Sequence, residues 1–469
     1  MNQRCCSCLS RRNFLSRAGK AALGLGLGLE GLASAQNLTL GAGPVIRAAF
    51  LRPPGKYWLG WPGTSYDVEG HRQEYTALLQ QSATDLGLQA VPNAEPLYDP
   101  DAVARFAKQI TDTRPDGVVV TLLHIGCWGW LDPLTKTGVP LIVFSPIGTS
   151  FTGHLAGISR QNGVYVTSTI DFEGVRWGLR MVRTARDLAN SRILRIAGGE
   201  SEESVLDHLG TTIRTVPRRT FSDLFDQTAV TSDVKDLAAD YFGRAEKVVE
   251  PSHNDGLNAA KTYFVARKLL ADEGANALAM DCLGMVADRV VPTPPCMAWS
   301  KLNDEGGTTA CCEADLLGCV SLMFVDRLLG RPGFLQDPVA ETLHNTFIGA
   351  HCSCPTRLHG FGTAPEPFIL RSHSESDIGV SMQVLWPEGQ RVTFVRFNSP
   401  TELIVDAGTV VGNIDTPPAG GCRTSVELTM DRVPDARDVK GFHQVLLYGD
   451  YVRQVRDFCQ LYGVNVVQS

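Results

Sequence analysis

The sequence lacks the features that mark nucleic-acid-binding and membrane-spanning proteins. Its formal net charge is -7 over 469 residues, so no excess of basic charge supports binding to nucleic acid. After residue 35, no apolar run reaches the ~20 residues that a membrane span needs. Nucleotide-binding fingerprints and internal repeats are also missing. We therefore expect a soluble protein with no nucleic-acid partner and no stable membrane insertion.

Regular cysteine spacing is missing as well. Three of the 13 cysteines fall within residues 1–35, and the other ten form no C-x-x-C pair. Cys311-Cys312 and Cys352-Ser353-Cys354 fit the spacings of structural zinc sites poorly. We expect these thiols to be buried and reduced, with one disulfide formed after export as the alternative.

Residues 1–35 are predicted to be a twin-arginine export signal. Arg11 and Arg12 precede an apolar, glycine-rich run at residues 21–32, and Ala33-Ser34-Ala35 is a small-residue cleavage pattern. A chance arginine pair beside a short anchor helix is the alternative. Because this route carries folded proteins, a metal could be bound before export, and we expect a periplasmic or otherwise extracytoplasmic protein.

Residues 36–191 and 192–355 are predicted to form two doubly wound α/β domains. Short apolar runs at residues 117–123 and 140–144 are typical of buried parallel strands. They alternate with amphipathic segments such as residues 101–110, whose apolar positions share one helical face. This alternation favours α/β layers built on parallel sheets.

Residues 356–469 are predicted to form a small antiparallel β-barrel domain. The segment is rich in short strand patterns separated by glycine and proline, which is typical of antiparallel barrels and sandwiches. The predicted strands of this domain are residues 368–371, 379–386, 391–397, 402–411, 424–430 and 445–448. A helix over residues 451–461 follows them.

Glu313, Asp337 and His443 are the residues that could do chemistry. A predicted helix over residues 313–329 places Glu313 in its first turn, with Asp315 as a helix-start charge first and a ligand second. Two carboxylates and one imidazole suit Mg²⁺ or Mn²⁺ better than zinc or copper. Such a cation can polarise a sugar carbonyl while a carboxylate takes a proton from the adjacent carbon. The alternative is that Glu313 caps a helix, Asp337 caps a turn and His443 is a core histidine.

Three segments that carry these residues resemble the L-fucose/L-arabinose isomerase superfamily, and most of all its fucose-isomerase-like branch. They are Cys312-Glu313-Ala314-Asp315, Gln336-Asp337-Pro338 and Gly441-Phe442-His443. The resemblance runs in order over most of the chain after about residue 47. It implies an aldose–ketose isomerase that works through an enediol and assembles as a homo-oligomer, a trimer or hexamer.

The resemblance also implies roles for single residues. Glu313 and Asp337 would bind Mn²⁺, with Mg²⁺ or Co²⁺ as alternatives, and would be the catalytic pair that moves the proton. His443 would be the third metal ligand. The substrate would be a monosaccharide, although the chain is short for a fucose isomerase and export is unusual for a catabolic enzyme. An exported sugar-binding protein without isomerase activity is the second hypothesis.

Two further histidines are candidate substrate contacts. His351 lies at the end of a predicted strand over residues 345–350, and a buried structural histidine is the alternative reading. His373 lies in Arg371-Ser372-His373-Ser374-Glu375, where the predicted barrel domain begins. Both are proposed because sugar hydroxyls are recognised by a few polar groups.

Overall fold

The computed structural model describes residues 43–55, 61–416 and 421–467, so the predicted export signal lies outside the described residues. The described chain is a mixed α/β protein with parallel sheets and a closed six-stranded antiparallel β-barrel. No helix in the described ranges is long and apolar enough to cross a membrane.

The first sheet is parallel throughout and has the strand order β2-β1-β3-β4-β5. The apolar runs predicted as strands are β3 and β4, both buried along their whole length. The amphipathic segment predicted at residues 101–110 is helix α2, whose buried face contains Val103, Phe106 and Ile110. The elements of this region are β1 (Val45–Leu51), α1 (Val68–Asp85), β2 (Gln89–Pro92), α2 (Pro100–Thr113), β3 (Gly117–Leu122), α3 (Asp132–Thr135), β4 (Leu141–Pro146), α4 (Thr152–Ile158), β5 (Val164–Thr169) and α5 (Glu173–Ala189).

The second sheet has the strand order β11-β10-β6-β8-β7. Its strands are parallel except for β7, which pairs antiparallel with β8. The elements of this region are β6 (Arg192–Ile196), β7 (Glu202–Val205), β8 (Thr212–Val216), α6 (Arg218–Gln227), α7 (Ser232–Arg244), β9 (Lys247–Val248), α8 (His253–Asp272), β10 (Ala277–Met280), α9 (Cys282–Ala287), α10 (Cys296–Glu305), β11 (Thr309–Cys311) and α11 (Leu316–Leu329).

The barrel closes in the order β16-β19-β12-β13-β18-β17, because β17 pairs with both β18 and β16. Strand β20 adds to β17 in parallel. The elements of this region are β12 (Phe334–Glu341), β13 (Thr346–His351), β14 (Phe368–Arg371), β15 (Ser381–Val384), β16 (Arg391–Ser399), β17 (Glu402–Asn413), β18 (Thr424–Met430), β19 (Gln444–Tyr448), α12 (Val452–Tyr462) and β20 (Asn465–Val467).

The barrel differs from the sequence prediction in its choice of strands. Strands β12 and β13 precede residue 356, so the barrel takes two of its six strands from the preceding segment. Strands β14 and β15, predicted for the barrel, instead form a separate three-stranded sheet in the order β15-β14-β9. A strand pattern records which face of a segment is buried, but it does not identify the partner strand.

Helix α11 packs between the second sheet and the barrel. Its Phe324 is fully buried and contacts Phe397 of β16 and Phe458 of α12 edge to face, with ring centroids 5.4 and 4.8 Å apart. The predicted start of this helix was wrong by three residues. It begins at Leu316, and Asp315 is its N-cap.

Candidate metal centre

Four side chains converge where the carboxyl edge of the second sheet meets the barrel. Glu313, Asp337, His351 and His443 each offer one ligand atom, and these atoms all lie within 4.8 Å of one another. Nε2 of His443 is 3.1 Å from Oδ1 of Asp337 and 3.5 Å from Oε2 of Glu313. The structure thus brings together all three residues that the sequence indicated as ligands, and adds His351.

Glu313 reaches the site from a left-handed turn, not from a helix. Glu313 and Ala314 have φ angles of +57° and +52°, a region that is uncommon for residues other than glycine. The turn follows β11 and is tied to the sheet by the N–H of Ala314, which donates to the carbonyl of Met280 at 2.9 Å. Glu313 therefore lies in a turn before helix α11, and not in the first turn of that helix as the sequence predicted.

Strand pairing places Asp337 and both histidines. Asp337 lies in β12 opposite Ala350 of β13, one residue before His351. On the other side of β12, Gln336 pairs with Gln444, the residue after His443. The register of three adjacent strands therefore brings Asp337, His351 and His443 to one end of the barrel.

His443 is oriented by a buried carboxylate. Its Nδ1 lies 2.9 Å from Oδ2 of Asp315, so Nδ1 donates its hydrogen and Nε2 is the nitrogen that can bind a cation once its own proton is displaced. Asp315 also accepts from the N–H of Gly318 at 2.9 Å and pairs with Arg396 of β16 at 2.5 Å. Asp315 is therefore a helix cap that positions a histidine of the barrel.

Negative charge dominates the surroundings of His443. Burial lowers the pKa of its imidazole, but the hydrogen bond to Asp315 and the nearby carboxylates of Asp337 and Glu313 raise the pKa to about 9. The contact between Nε2 and Asp337 is not aligned as a hydrogen bond. Asp337 therefore raises the pKa of His443 through its charge and not through a hydrogen bond. The same negative potential would stabilise a bound cation.

His351 carries its proton on the opposite nitrogen. Its Nδ1 accepts a hydrogen bond from the N–H of Cys352 at 2.9 Å, which assigns the ring hydrogen to Nε2. Burial lowers the pKa of this imidazole and keeps it neutral. Nε2 faces Oε1 of Glu313 at 3.9 Å. His351 can thus donate a hydrogen bond into the site, whereas His443 can donate an electron pair.

Three atoms at the centre are buried without a hydrogen-bond partner. They are Oδ1 of Asp337, Nε2 of His351 and Nε2 of His443. Each unpaired buried polar group costs about 1–3 kcal/mol, so their convergence favours a ligand that satisfies them together. The adjoining cavity of about 60 Å³ has room for a cation and a few water molecules. The residues present fit a divalent metal ion.

The cavity beside these atoms is lined by more than the predicted residues. His373, a predicted substrate contact, lies on its wall, and its Nδ1 is 3.0 Å from Oγ of Ser376. Glu375 lies there too and was not anticipated, although it is two residues from His373. Five thiols complete this wall, those of Cys282, Cys296, Cys312, Cys352 and Cys422.

The cysteines are free, as the sequence predicted. All ten in the described ranges are unpaired, and all but the half-buried Cys422 are buried. Asp281, at the end of β10, caps helix α9 and pairs with Arg218, not with a candidate ligand. A second group that could hold a metal, Glu341, His344 and Glu427, lies on the barrel around the exposed His344.

Comparison with known proteins identifies no family. No protein-family model and no curated protein matches the sequence. A solved structure of an ABC transporter solute-binding protein from Burkholderia multivorans aligns with 9% sequence identity. The alignment covers 54% of this chain and 86% of that chain, with a TM-score of 0.19. A score this low carries no argument about fold or function.

Proposed function

We propose that the chain is a metal-dependent aldose–ketose isomerase that acts on a monosaccharide through an enediol. The observation that carries this proposal is the convergence of two carboxylates, Nε2 of His443 and a donor nitrogen of His351 beside one cavity. A sugar-binding protein on the same scaffold is the second candidate. It has less support because simple binding needs no carboxylate with a shifted pKa beside a cation site.

Glu313, Asp337 and His443 would hold the metal ion. Two oxygen donors and one imidazole suit Mn²⁺, with Mg²⁺ or Co²⁺ as alternatives. When bound, the cation would polarise a sugar carbonyl and make the neighbouring C–H more acidic. His351 is left outside this set, because its lone pair is already used by the N–H of Cys352.

Glu313 is the better candidate for the residue that moves the proton. Burial raises the pKa of its carboxyl group, and the charge of Asp337 raises it further, although His443 opposes both. A carboxylate with a raised pKa is a stronger base at neutral pH. Its side chain is 29% exposed and that of Asp337 is 26% exposed, so both carboxylates are accessible to a substrate and the raised pKa of Glu313 is what favours it. The Nε2–H of His351 would donate to a sugar oxygen beside it.

The wider organisation belongs to the same proposal. We infer two doubly wound α/β domains ahead of the barrel, the first at residues 36–191 and the second from residue 192 to the segment before β12, and a homo-oligomeric assembly. We also infer export by the twin-arginine route to the periplasm. The ten free thiols of the described ranges are compatible with this route, because a chain that folds before export would bury its thiols in the reducing cytoplasm.

Hydrogen exchange at the sugar tests the proposal directly. Protein loaded with Mn²⁺ should exchange the C–H next to the carbonyl of at least one aldose with solvent deuterium, as followed by NMR. Glu313→Gln should slow exchange by about 10²–10⁴-fold. Glu341→Gln, in the second carboxylate–histidine group, is the matched control and should leave the rate unchanged. Sugar binding without exchange across a broad panel would favour the binding-protein hypothesis.

A further inference from the structure

Half of the cysteines in the described ranges line a single cavity. Cys282, Cys296, Cys312, Cys352 and Cys422 come from five separate loops and helix starts, yet all lie on the wall beside the candidate metal centre. Four of them are buried. Cys422 is half-buried, so it is the thiol that a reagent from solvent reaches first.

Cys352 and Cys422 are neighbours in this wall. Oγ of Ser374 lies 3.6 Å from the sulfur of Cys352 and 4.0 Å from that of Cys422. The hydroxyl of Ser374 thus lies beside both sulfurs. Their backbones run side by side, because His351 of β13 pairs with Thr424 of β18, and each cysteine lies within two residues of that pair. Adjacent antiparallel backbones can bring Cα atoms within the range that a disulfide spans.

We propose that Cys352 and Cys422 form a modification site for low-molecular-weight disulfides. The neighbouring Cys352 thiol and burial raise the pKa of Cys422, so the first step is slow and Cys422 is the entry point through its exposure alone. Its thiolate attacks one sulfur of the reagent RS–SR, so that a Cys422–SR bond forms and one RSH leaves with the proton of Cys422. Cys352 then attacks the Cys422 sulfur, the Cys352–Cys422 bond forms, and a second RSH leaves with the proton of Cys352. The two protein thiols lose two electrons, which reduce the reagent to two thiols.

Cys296 lines the same cavity as Cys352 but is a poorer entry point. Its side chain is only 4% exposed, so a disulfide reagent cannot reach it without local opening. The N–H of Cys352 donates a hydrogen bond to Nδ1 of His351, so the cross-link would form directly beside a residue of the candidate metal centre. The proposal does not depend on isomerase activity.

Peptide mapping by mass spectrometry tests the site on the folded full chain, with 2-hydroxyethyl disulfide as the probe. The wild type should give a linked Cys352–Cys422 peptide pair. Cys352→Ser should stop at a mixed disulfide on Cys422, and Cys422→Ser should react in this cavity at least tenfold more slowly. Cys127→Ser, remote in the first sheet region, should behave as the wild type.

Two results would overturn the proposal. One is a wild-type product that stays a mixed disulfide on Cys422, since Cys352 would then be out of reach. The other is a link from Cys352 to Cys296 that forms in Cys422→Ser as fast as any link forms in the wild type. Both are read from the wild type or from a serine variant whose fold is checked by circular dichroism.

Discussion

Replacing Asp315 with asparagine separates its role as a helix cap from its role as a buried charge. Asparagine caps a helix about as well as aspartate, so the bond to the N–H of Gly318 should survive. The ion pair with Arg396 would be lost, and the two side chains are only 14% and 11% exposed. Leaving a buried charge unpaired costs about 3–5 kcal/mol. We therefore expect Asp315→Asn to lower the free energy of unfolding by about 3 kcal/mol.

The same variant should weaken metal binding. Asp315 fixes the ring of His443 through Nδ1, and loss of such a supporting carboxylate costs about 10–100-fold in metal affinity. Urea unfolding of the metal-free protein and titration with Mn²⁺ followed by electron paramagnetic resonance measure the two effects separately. A variant that keeps wild-type Mn²⁺ affinity would refute the positioning role, whatever its stability.

Asp281→Asn is the matched control. Asp281 also caps a helix, accepts from the N–H of Gly284 and pairs with an arginine, Arg218. Its pair is more open, with side chains 24% and 29% exposed, and its carboxylate holds Arg218 instead of a candidate ligand. Partly exposed pairs contribute about 0–1 kcal/mol, so this variant should lose little stability and no metal affinity. Equal losses in both variants would show that burial of the Asp315 pair is not the cause.

The sign of the pH dependence follows from Asp315 itself. Burial raises the pKa of its carboxyl group, but the hydrogen bonds from His443 and Arg396 outweigh burial and lower the pKa below its usual value. A carboxylate whose pKa is lowered on folding stabilises the protein above its unfolded pKa of about 3.9 and loses that effect as the pH falls further. The stability gap between wild type and Asp315→Asn should therefore narrow below about pH 4.

Two other variants test neighbouring parts of the argument. A Cβ at Gly318 would lie 2.7 Å from Oδ2 of Asp315, so Gly318→Ala should lower Mn²⁺ affinity several-fold, whereas Gly284→Ala, with the same clash against Asp281, should not. Burial raises the pKa of the Asp304 carboxyl group to about 6, although three hydrogen bonds lower it. Folding therefore favours the protonated carboxyl group, so this group stabilises the fold below about pH 4 and the stabilisation is lost as the pH rises through 6. The unfolding free energy of Asp304→Asn relative to wild type should rise by about 3 kcal/mol between pH 4 and 7 in urea titrations, and a constant difference would contradict this.

Segments whose signal is local could be predicted from the sequence. The strand at residues 424–430 and the buried run that forms β3 both agree with their apolar patterns. The start of α11 was missed because the acidic residue at 313 was read as the first-turn charge. The capping signal of Asp315 was the better guide, since its side chain bonds the N–H three residues on.

Features that depend on distant partners could not be predicted. Strand β14 pairs with β9, more than a hundred residues earlier, and nothing in its own alternation indicates that partner. The sequence indicated His351 as a substrate contact, but it could not show which ring nitrogen carries the hydrogen, because that depends on the contact with the N–H of Cys352. The left-handed backbone at Glu313 could not be predicted either, because the sequence has no glycine at that position.

The geometry of the centre depends on one joint between the second sheet and the barrel. Barrel register fixes Asp337 and His443 relative to each other, but Glu313 enters from a different sheet. Asp315, two residues after Glu313, binds His443 and Arg396 of the barrel and so ties that turn to the barrel end. Without these contacts, Glu313 could move away from Asp337 and His443 while the second sheet and the barrel both stay folded. Variants that remove the contacts of Asp315 with His443 or Arg396 should therefore lower both the stability of the metal-free protein and its metal affinity. Variants elsewhere should change one of these quantities without the other.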